Sequence, residues 1–249
     1  MSHAEAAAQL RRLATPLYLF AMANVAAVVA LNDTEVTSST LFWLCFGLCV
    51  LLQQLVRRLA SRSAVRVVFD AHQLANLERD GHGRMCSDCG VWQPVRAYHC
   101  SKSKCCMVRF DHFCSLVASP IALSNHVLFV LAAWLHTAFL AVASAVTGGL
   151  LLSLASGRQP TWSWTAVAHL VCVWAGCQLF CLLIGIIGVV ELVGVSSNQL
   201  YIELLYREKL PLFQRLPDDA KPFDRGFLRN WADFLGTVTA SRPKVYKLL

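Results

Sequence analysis

Asp111, His112 and Cys114 fall within one run of four residues, Asp-His-Phe-Cys, and together they hold the parts of a thiol nucleophile. The thiolate is the reactive form of cysteine, and a free thiol titrates near pH ~8.5. An adjacent imidazole favours the thiolate, and a carboxylate next to that imidazole orients the ring and supports its cationic form. Taken alone, Asp-His-x-Cys is a short pattern. A further set of metal ligands, or chance, would produce it equally well.

A second constellation lies just upstream. Cys86-x2-Cys89 has the spacing of a zinc knuckle, in which both sulfurs face one ion at about 2.3 Å. His99 and Cys106 can complete a tetrahedral Cys3His set, the alternative being unlinked cysteines in a loop. Four protein ligands leave no open position for water, so the expected role is structural. Of the 11 cysteines, Cys86, Cys89, Cys100, Cys105, Cys106 and Cys114 crowd into this one segment. Cys45, Cys49, Cys172, Cys177 and Cys181 lie in apolar runs and read as small packing residues.

The elements that must position these groups are set by an unusual solvent. The chain has 249 residues, 56% of them hydrophobic and 15% charged, with a mean hydropathy of +0.51. A soluble domain carries nearer ~25% charge. Four stretches are expected to span a membrane: Ala14–Leu31, Thr40–Val56, Val127–Ala155 and Trp164–Val195. Glu191 is expected to mark the water interface near the end of the fourth. Of the 22 Lys and Arg, all but Arg158 precede the first span, lie between the second and third, or follow the fourth. That bias places both termini and the middle segment in the cytosol. There, reducing conditions make disulfides a poor reading of the clustered cysteines. The net charge of +7 reads as topology and attraction to anionic lipid, and no basic-aromatic stripe suggests nucleic acid. A signal peptide over residues 11–31 competes poorly, because its cleavage would split the basic segments across the bilayer.

The expected division is 1–56 for the N-terminus and first two helices, 57–125 for the cysteine-rich domain, 126–195 for the last two helices, and 196–249 for a cytosolic tail. Residues 64–79 are expected to continue the second helix. Gly81, Gly83, Gly90 and Pro94 signal turns, in a segment too polar to bury much core without a metal staple. In the tail, Phe227, Trp231, Phe234 and Val238 recur at helical spacing. An amphipathic helix there would lie in the membrane interface or pack on the cytosolic segment.

The ordered set of motifs is specific where each alone is weak. Cys86-x2-Cys89-x3-Gln-Pro-x-Arg-x2-His99-Cys100, followed by Cys106-x4-Asp111-His112-x-Cys114, resembles the cysteine-rich domain of the DHHC protein palmitoyltransferases. Asn125 and Phe129 match that family's following Asn-x3-Phe. Ser196-Ser197-Asn198-Gln199 is similar to its Thr-Thr-x-Glu motif, and Lys221-Pro-Phe-Asp-Arg-Gly-x3-Asn230-Trp231-x2-Phe234 to its C-terminal motif. The resemblance implies an all-α polytopic membrane protein. Its four transmembrane helices would carry a zinc-stapled cytosolic cysteine-rich domain between helices two and three. It implies a protein S-acyltransferase (palmitoyltransferase) in which Cys114 takes the acyl group of palmitoyl-CoA and passes it to cysteines of membrane-associated proteins. His112 would move the protons and Asp111 would support it. The acyl chain would lie among the spans, where Ala132, Ala133, Gly148, Gly149, Gly176 and Gly185 either leave room for it or pack helices together. Lys102, Lys104 and Arg109 would meet the phosphates of CoA, unless they only express the positive-inside bias. The family's compartments would be the Golgi, the ER or the plasma membrane.

The chain departs from the family at the second of its two zinc sites. The first maps onto Cys86, Cys89, His99 and Cys106. The second would use Cys100 and positions 103, 113 and 120, which here are Ser103, Phe113 and Pro120. One zinc per chain is therefore expected, with Phe113 and Pro120 replacing the other by packing. The family's Pro-Trp after the nucleophile is Ser115-Leu116, and its Asn-Cys-Val-Gly is Ser119-Pro120-Ile121-Ala122. These departures keep open a second class of function, a catalytically inactive zinc-binding membrane scaffold. A channel or transporter has little support, since charges within the spans are nearly absent.

Overall fold

A computed structural model of the chain describes residues 18–19, 22–27, 40–64, 83–158, 162–210 and 212–237. Helix α1 (Thr40–Leu59) closes on Arg57 and Arg58, cations that complement the negative end of its dipole. A 3-10 turn, Ala60–Ser63, follows. Ala64 is then extended and bridges Met107, so the expected helical continuation does not start at 64. The remainder of that expected helix, residues 65–79, lies outside the described residues.

Six short strands come next: β1 (Gly83–Met85), β2 (Trp92–Pro94), β3 (Ala97–Cys100), β4 (Cys105–Val108), β5 (His112–Cys114) and β6 (Ser119–Ile121). They pair in sequence order as three antiparallel two-stranded hairpins. The fold is thus mostly helical rather than all-α. Runs of three or four residues between tight turns are too short to nucleate a helix but sufficient for a hairpin. The turns are sharp enough that Arg96, Lys104, Arg109 and Ala118 adopt left-handed backbone conformations, which non-glycine residues keep only when their surroundings fix them.

Helices α2 (His126–Ala155) and α3 (Trp164–Ser196) have 30 and 33 residues. At ~1.5 Å per residue each exceeds the ~30 Å hydrocarbon core of a bilayer. Among the described residues, three helices are long and apolar enough to cross a membrane: Trp43–Ser63, His126–Ala155 and Trp164–Ser196. The expected first span, Ala14–Leu31, is described only at residues 18–19 and 22–27, which are helical. Its remaining residues lie outside the described set. Helix α3 ends in a Schellman motif. Gln199 N–H reaches Gly194 C=O (2.8 Å), Asn198 N–H reaches Val195 C=O (3.1 Å), and Asn198 takes the left-handed position. Short helix α4 (Tyr201–Leu205) and helix α5 (Phe227–Gly236) are the last α-helices among the described residues.

The chain forms two compact units. One, built from residues 13–53 and 130–189, is helical, with a core of Met22, Ala26, Cys49, Phe139, Leu140, Ala143 and Cys177. Leu179, Leu182, Ile186 and Val189 point outward, as lipid-facing residues do. The expected small residues divide here. A Cβ on Gly148 would lie 3.0 Å from Trp174 Nε1, so Gly148 packs helices together, whereas Gly149 and Gly176 meet nothing within 4 Å.

The other unit, residues 54–129 and 190–249, joins the hairpins to the tail. Its core is Tyr98, Cys100, Met107, Phe110, Ala122, Leu200, Leu210, Phe213 and Phe223. A buried ion pair stiffens it. Arg96 donates from Nε (2.8 Å) and Nη2 (2.7 Å) to the two carboxylate oxygens of Glu203, and stacks 4.1 Å over the Phe223 ring. Asn125, fully buried, donates to the Val56 and Pro120 carbonyls and accepts from Ala122 N–H, tying α1 to β6.

Candidate active site and metal centre

The candidate metal centre is made by two hairpins. The β1–β2 turn presents Cys86 and Cys89, closed by Gly90 N–H on Cys86 C=O, with Gly90 in the left-handed region at φ 64°. The β3–β4 register places His99 directly opposite Cys106. Three sulfurs converge on His99 Nδ1, at 3.2 Å (Cys89), 3.7 Å (Cys86) and 4.0 Å (Cys106). Zn–S and Zn–N bonds of ~2.3 and ~2.0 Å at a tetrahedral angle require an S···N separation of about 3.5 Å. The four residues therefore fit a zinc ion with only small adjustments, and all four ligand atoms lie within 4.8 Å of one another. Their surroundings suit a loaded site. Gln93 Nε2 donates to Cys106 Sγ at 3.2 Å, and Asp88 sits 3.7 Å from the outer His99 nitrogen.

Cys114, the expected nucleophile, sits on the β5–β6 hairpin. Side chains alternate along a strand, so His112 and Cys114 share one face while Phe113 points to the other. Phe113 packs against the apolar cluster of Tyr98, Phe110 and Phe213. Its cross-strand partner is Pro120. Cys100 belongs to the same cluster and donates its thiol to Ser103 Oγ at 3.4 Å.

The His112 ring is held on several sides. Nδ1 donates to Asp111 Oδ2 at 2.6 Å, and the other Asp111 oxygen accepts the Tyr201 N–H at 2.7 Å. Phe129 and Tyr201 contact the ring edge-to-face, with centroids at 5.4 and 5.7 Å. Cys114 is buried and lies beside the imidazole on the same strand face. Burial alone would discharge His112. Its hydrogen bond to Asp111 and the adjacent Cys114, with the carboxylates of Asp111 and Glu191, override burial and push its pKa up to about 10. Burial likewise works against the Asp111 carboxylate. The charge of His126 and the His112 hydrogen bond win, keeping its pKa below the ordinary value.

A family model for DHHC palmitoyltransferase matches residues 80–207, just over half of the chain. The chain belongs to the DHHC palmitoyltransferase family. Palmitoyltransferase PFA3 of Yarrowia lipolytica is 29% identical over 146 residues, covering 54% of this chain and 36% of that protein. Palmitoyltransferase ZDHHC23 of Mus musculus is 28% identical over 171 residues, 64% of this chain and 40% of the relative. Palmitoyltransferase Hip14 of Drosophila melanogaster is 42% identical over 62 residues, 23% and 10% of the two chains. The chain spans well under half the length of these three curated relatives.

Within this DHHC-family chain the structure brings Asp111, His112 and Cys114 together, and Cys86, Cys89, His99 and Cys106 together. It separates the three basic residues expected to meet CoA. Lys102 and Lys104 are exposed in the β3–β4 turn, where the Lys104 carbonyl lies 4.0 Å from the Cys89 thiol. Arg109 is buried, and its guanidinium donates to Asn198 Oδ1 at 3.3 Å. The motif expected at Ser196–Gln199 contributes Asn198, which also accepts from Arg96 (2.9 Å) and donates to Phe223 C=O (2.8 Å). The acidic side chain of this region is Glu203, four positions further on. In the tail, Trp231 donates to Ser196 Oγ at 3.2 Å and Phe234 contacts His126 edge-to-face, so α5 packs on the unit, while Phe227 and Leu228 remain exposed. Val238 lies outside the described residues.

Sequence reasoning missed Glu203, Tyr201, His126 and the role of Glu191. One available signal was a lone carboxylate in an apolar run, as in Leu200-Tyr-Ile-Glu203-Leu-Leu, because such a group is costly to bury unpaired. Glu191, expected at the water interface, is 6% exposed and lies against two imidazoles.

Proposed function

We propose that this chain is a membrane-embedded protein S-acyltransferase that carries a long-chain acyl group, palmitate, on Cys114. The observation that supports it best is the oriented His112 ring, which joins a buried carboxylate to a buried thiol on one strand face. Attack requires Cys114 as the thiolate, with the His112 imidazolium beside it as counter-ion. Cys114 Sγ attacks the carbonyl carbon of palmitoyl-CoA, the bond from that carbon to the CoA sulfur breaks, and the departing CoA thiolate takes the proton of His112. The neutral imidazole then accepts the proton of a substrate cysteine as that sulfur attacks the Cys114 thioester. Cys114 leaves as thiolate and the ion pair is restored. One thioester forms for each that breaks, so the protein's task is positioning and charge control. The acceptors are cytosolic cysteines of membrane-associated proteins.

The arrangement has four spans, with Ala14–Leu31 as the first and both termini and residues 57–125 in the cytosol. Gly149 and Gly176, where an added Cβ would meet nothing within 4 Å, are where an acyl chain would lie against the helical unit. Lys102 and Lys104 are the remaining candidates for the CoA phosphates. Zinc, held by Cys86, Cys89, His99 and Cys106, would staple the hairpins and take no part in the chemistry. Where the family has a second zinc, Phe113 faces Pro120 and Cys100 meets Ser103 within or beside one apolar cluster. This filled site is also the observation that favours the alternative, an inactive scaffold. Metal analysis of pure protein should give one zinc per chain; two would refute the packing account. Phe113→Ala should lower stability by about 1–3 kcal/mol in a thermal or denaturant melt without changing zinc content.

The activity itself is tested by mixing purified protein with palmitoyl-CoA and following free CoA. A burst of one CoA per chain, followed by turnover on addition of an acceptor cysteine, supports the enzyme. No burst supports the scaffold.

A further inference from the structure

Glu191 and His126 have no part in the steps above, yet they complete a chain of four buried or nearly buried groups. Glu191 Oε2 lies 2.6 Å from His126 Nε2, and its other oxygen lies 3.8 Å from His112 Nδ1, the atom that Asp111 already holds at 2.6 Å. Glu191 and His126 side chains are each only 7% exposed. Phe234 of α5 seals the His126 ring edge-to-face at 5.1 Å. One imidazole thus faces two carboxylates, and the second carboxylate is shared with a second imidazole.

We infer that Glu191 is a positioning residue of the acyl-transfer site, a second anion that holds His112 cationic, and that His126 sets how strongly it does so. This rests on the acyltransferase reading given above. An anion at 3.8 Å from Nδ1 in a water-poor site stabilises the imidazolium that donates to the CoA sulfur. His126 draws Glu191 to itself, so that Asp111 keeps the short hydrogen bond that fixes the tautomer. The groups facing His112 from the surrounding elements are Asp111 and Cys114 on its own segment, Glu191 from α3 with His126 of α2 behind it, and the Tyr201 ring from α4.

The test is the pH profile of Cys114 acylation, measured by rapid quench with labelled palmitoyl-CoA on the full chain. Loss of the imidazolium gives the alkaline limb. Glu191→Gln keeps the shape and removes an anion, so the limb should move down by about one pH unit. His126→Gln removes the imidazole that competes for Glu191 and leaves that carboxylate to His112, so the limb should move up. A merely structural disturbance would not move the two variants in opposite directions. Limbs coincident with wild type, or shifted the same way, overturn the proposal. If Glu191→Gln does not fold, a His126→Gln limb that is unmoved or lowered overturns it by itself. If wild type takes no Cys114-dependent label, the acyltransferase reading fails and this one with it. If wild type labels normally and the variants do not move, only the role of Glu191 is wrong.

Discussion

His112→Ala is expected to slow acyl transfer through Cys114 by about 10²–10⁴-fold, the usual contribution of a positioned acid–base group, with zinc content unchanged. The ring is 20% exposed, its Asp111, Cys114, Phe129 and Tyr201 contacts serve its orientation, and no metal ligand touches it. The loss should therefore appear in rate and not in folding. Asp111→Asn separates the two roles of the carboxylate. The amide oxygen can still accept the Tyr201 N–H, but its NH₂ would face Nδ1 and force the other imidazole tautomer. Rate should fall strongly while the melt moves less. Single-turnover acylation of each variant beside its thermal melt and zinc content checks both outcomes.

The largest expected loss of stability is at the Arg96–Glu203 pair. Their side chains are 0% and 1% exposed. Glu203→Ala leaves a buried guanidinium with Asn198 and the Phe223 ring but no counter-charge, a situation that costs about 3–5 kcal/mol. Against a total of ~5–15 kcal/mol for a typical domain, that is enough to unfold the unit at physiological temperature. Glu203 also accepts the Leu200 N–H at 3.0 Å, so α4, which supplies Tyr201 to Asp111, should loosen with it. The double variant Arg96→Met with Glu203→Leu should recover most of the loss, since paired apolar replacements avoid the stranded charge. Denaturant melts of the single and double variants measure the difference.

What the sequence disclosed and what it hid divide by contact range. Cys86-x2-Cys89 and Asp111-His112-x-Cys114 were legible because a knuckle turn and a strand's two-residue period bring those side chains together locally. The apolar helices α2 and α3 were legible from composition. The hairpins of the cysteine-rich segment were not, because strands of three or four residues carry too little periodicity to register. Nor were Glu191 and Glu203. Their partners lie 65 and 107 positions away, and spacing reveals nothing at that range. Arg109 misled for the same reason. Its neighbours Lys102 and Lys104 suggested one basic patch, but the chain turns between them and sends Arg109 inward to Asn198, 89 positions on. Phe113 and Pro120 read in sequence as packing replacements for a second zinc, and in the hairpin they are cross-strand partners.

The proposed acyl carrier is Cys114. Purified wild type and Cys114→Ala should be incubated with labelled palmitoyl-CoA, then treated with hydroxylamine, which cleaves thioesters. A hydroxylamine-sensitive label is expected on the peptide containing Cys114 in wild type and none in Cys114→Ala. A wild type that takes no label, or a label that survives the loss of Cys114, would contradict that role.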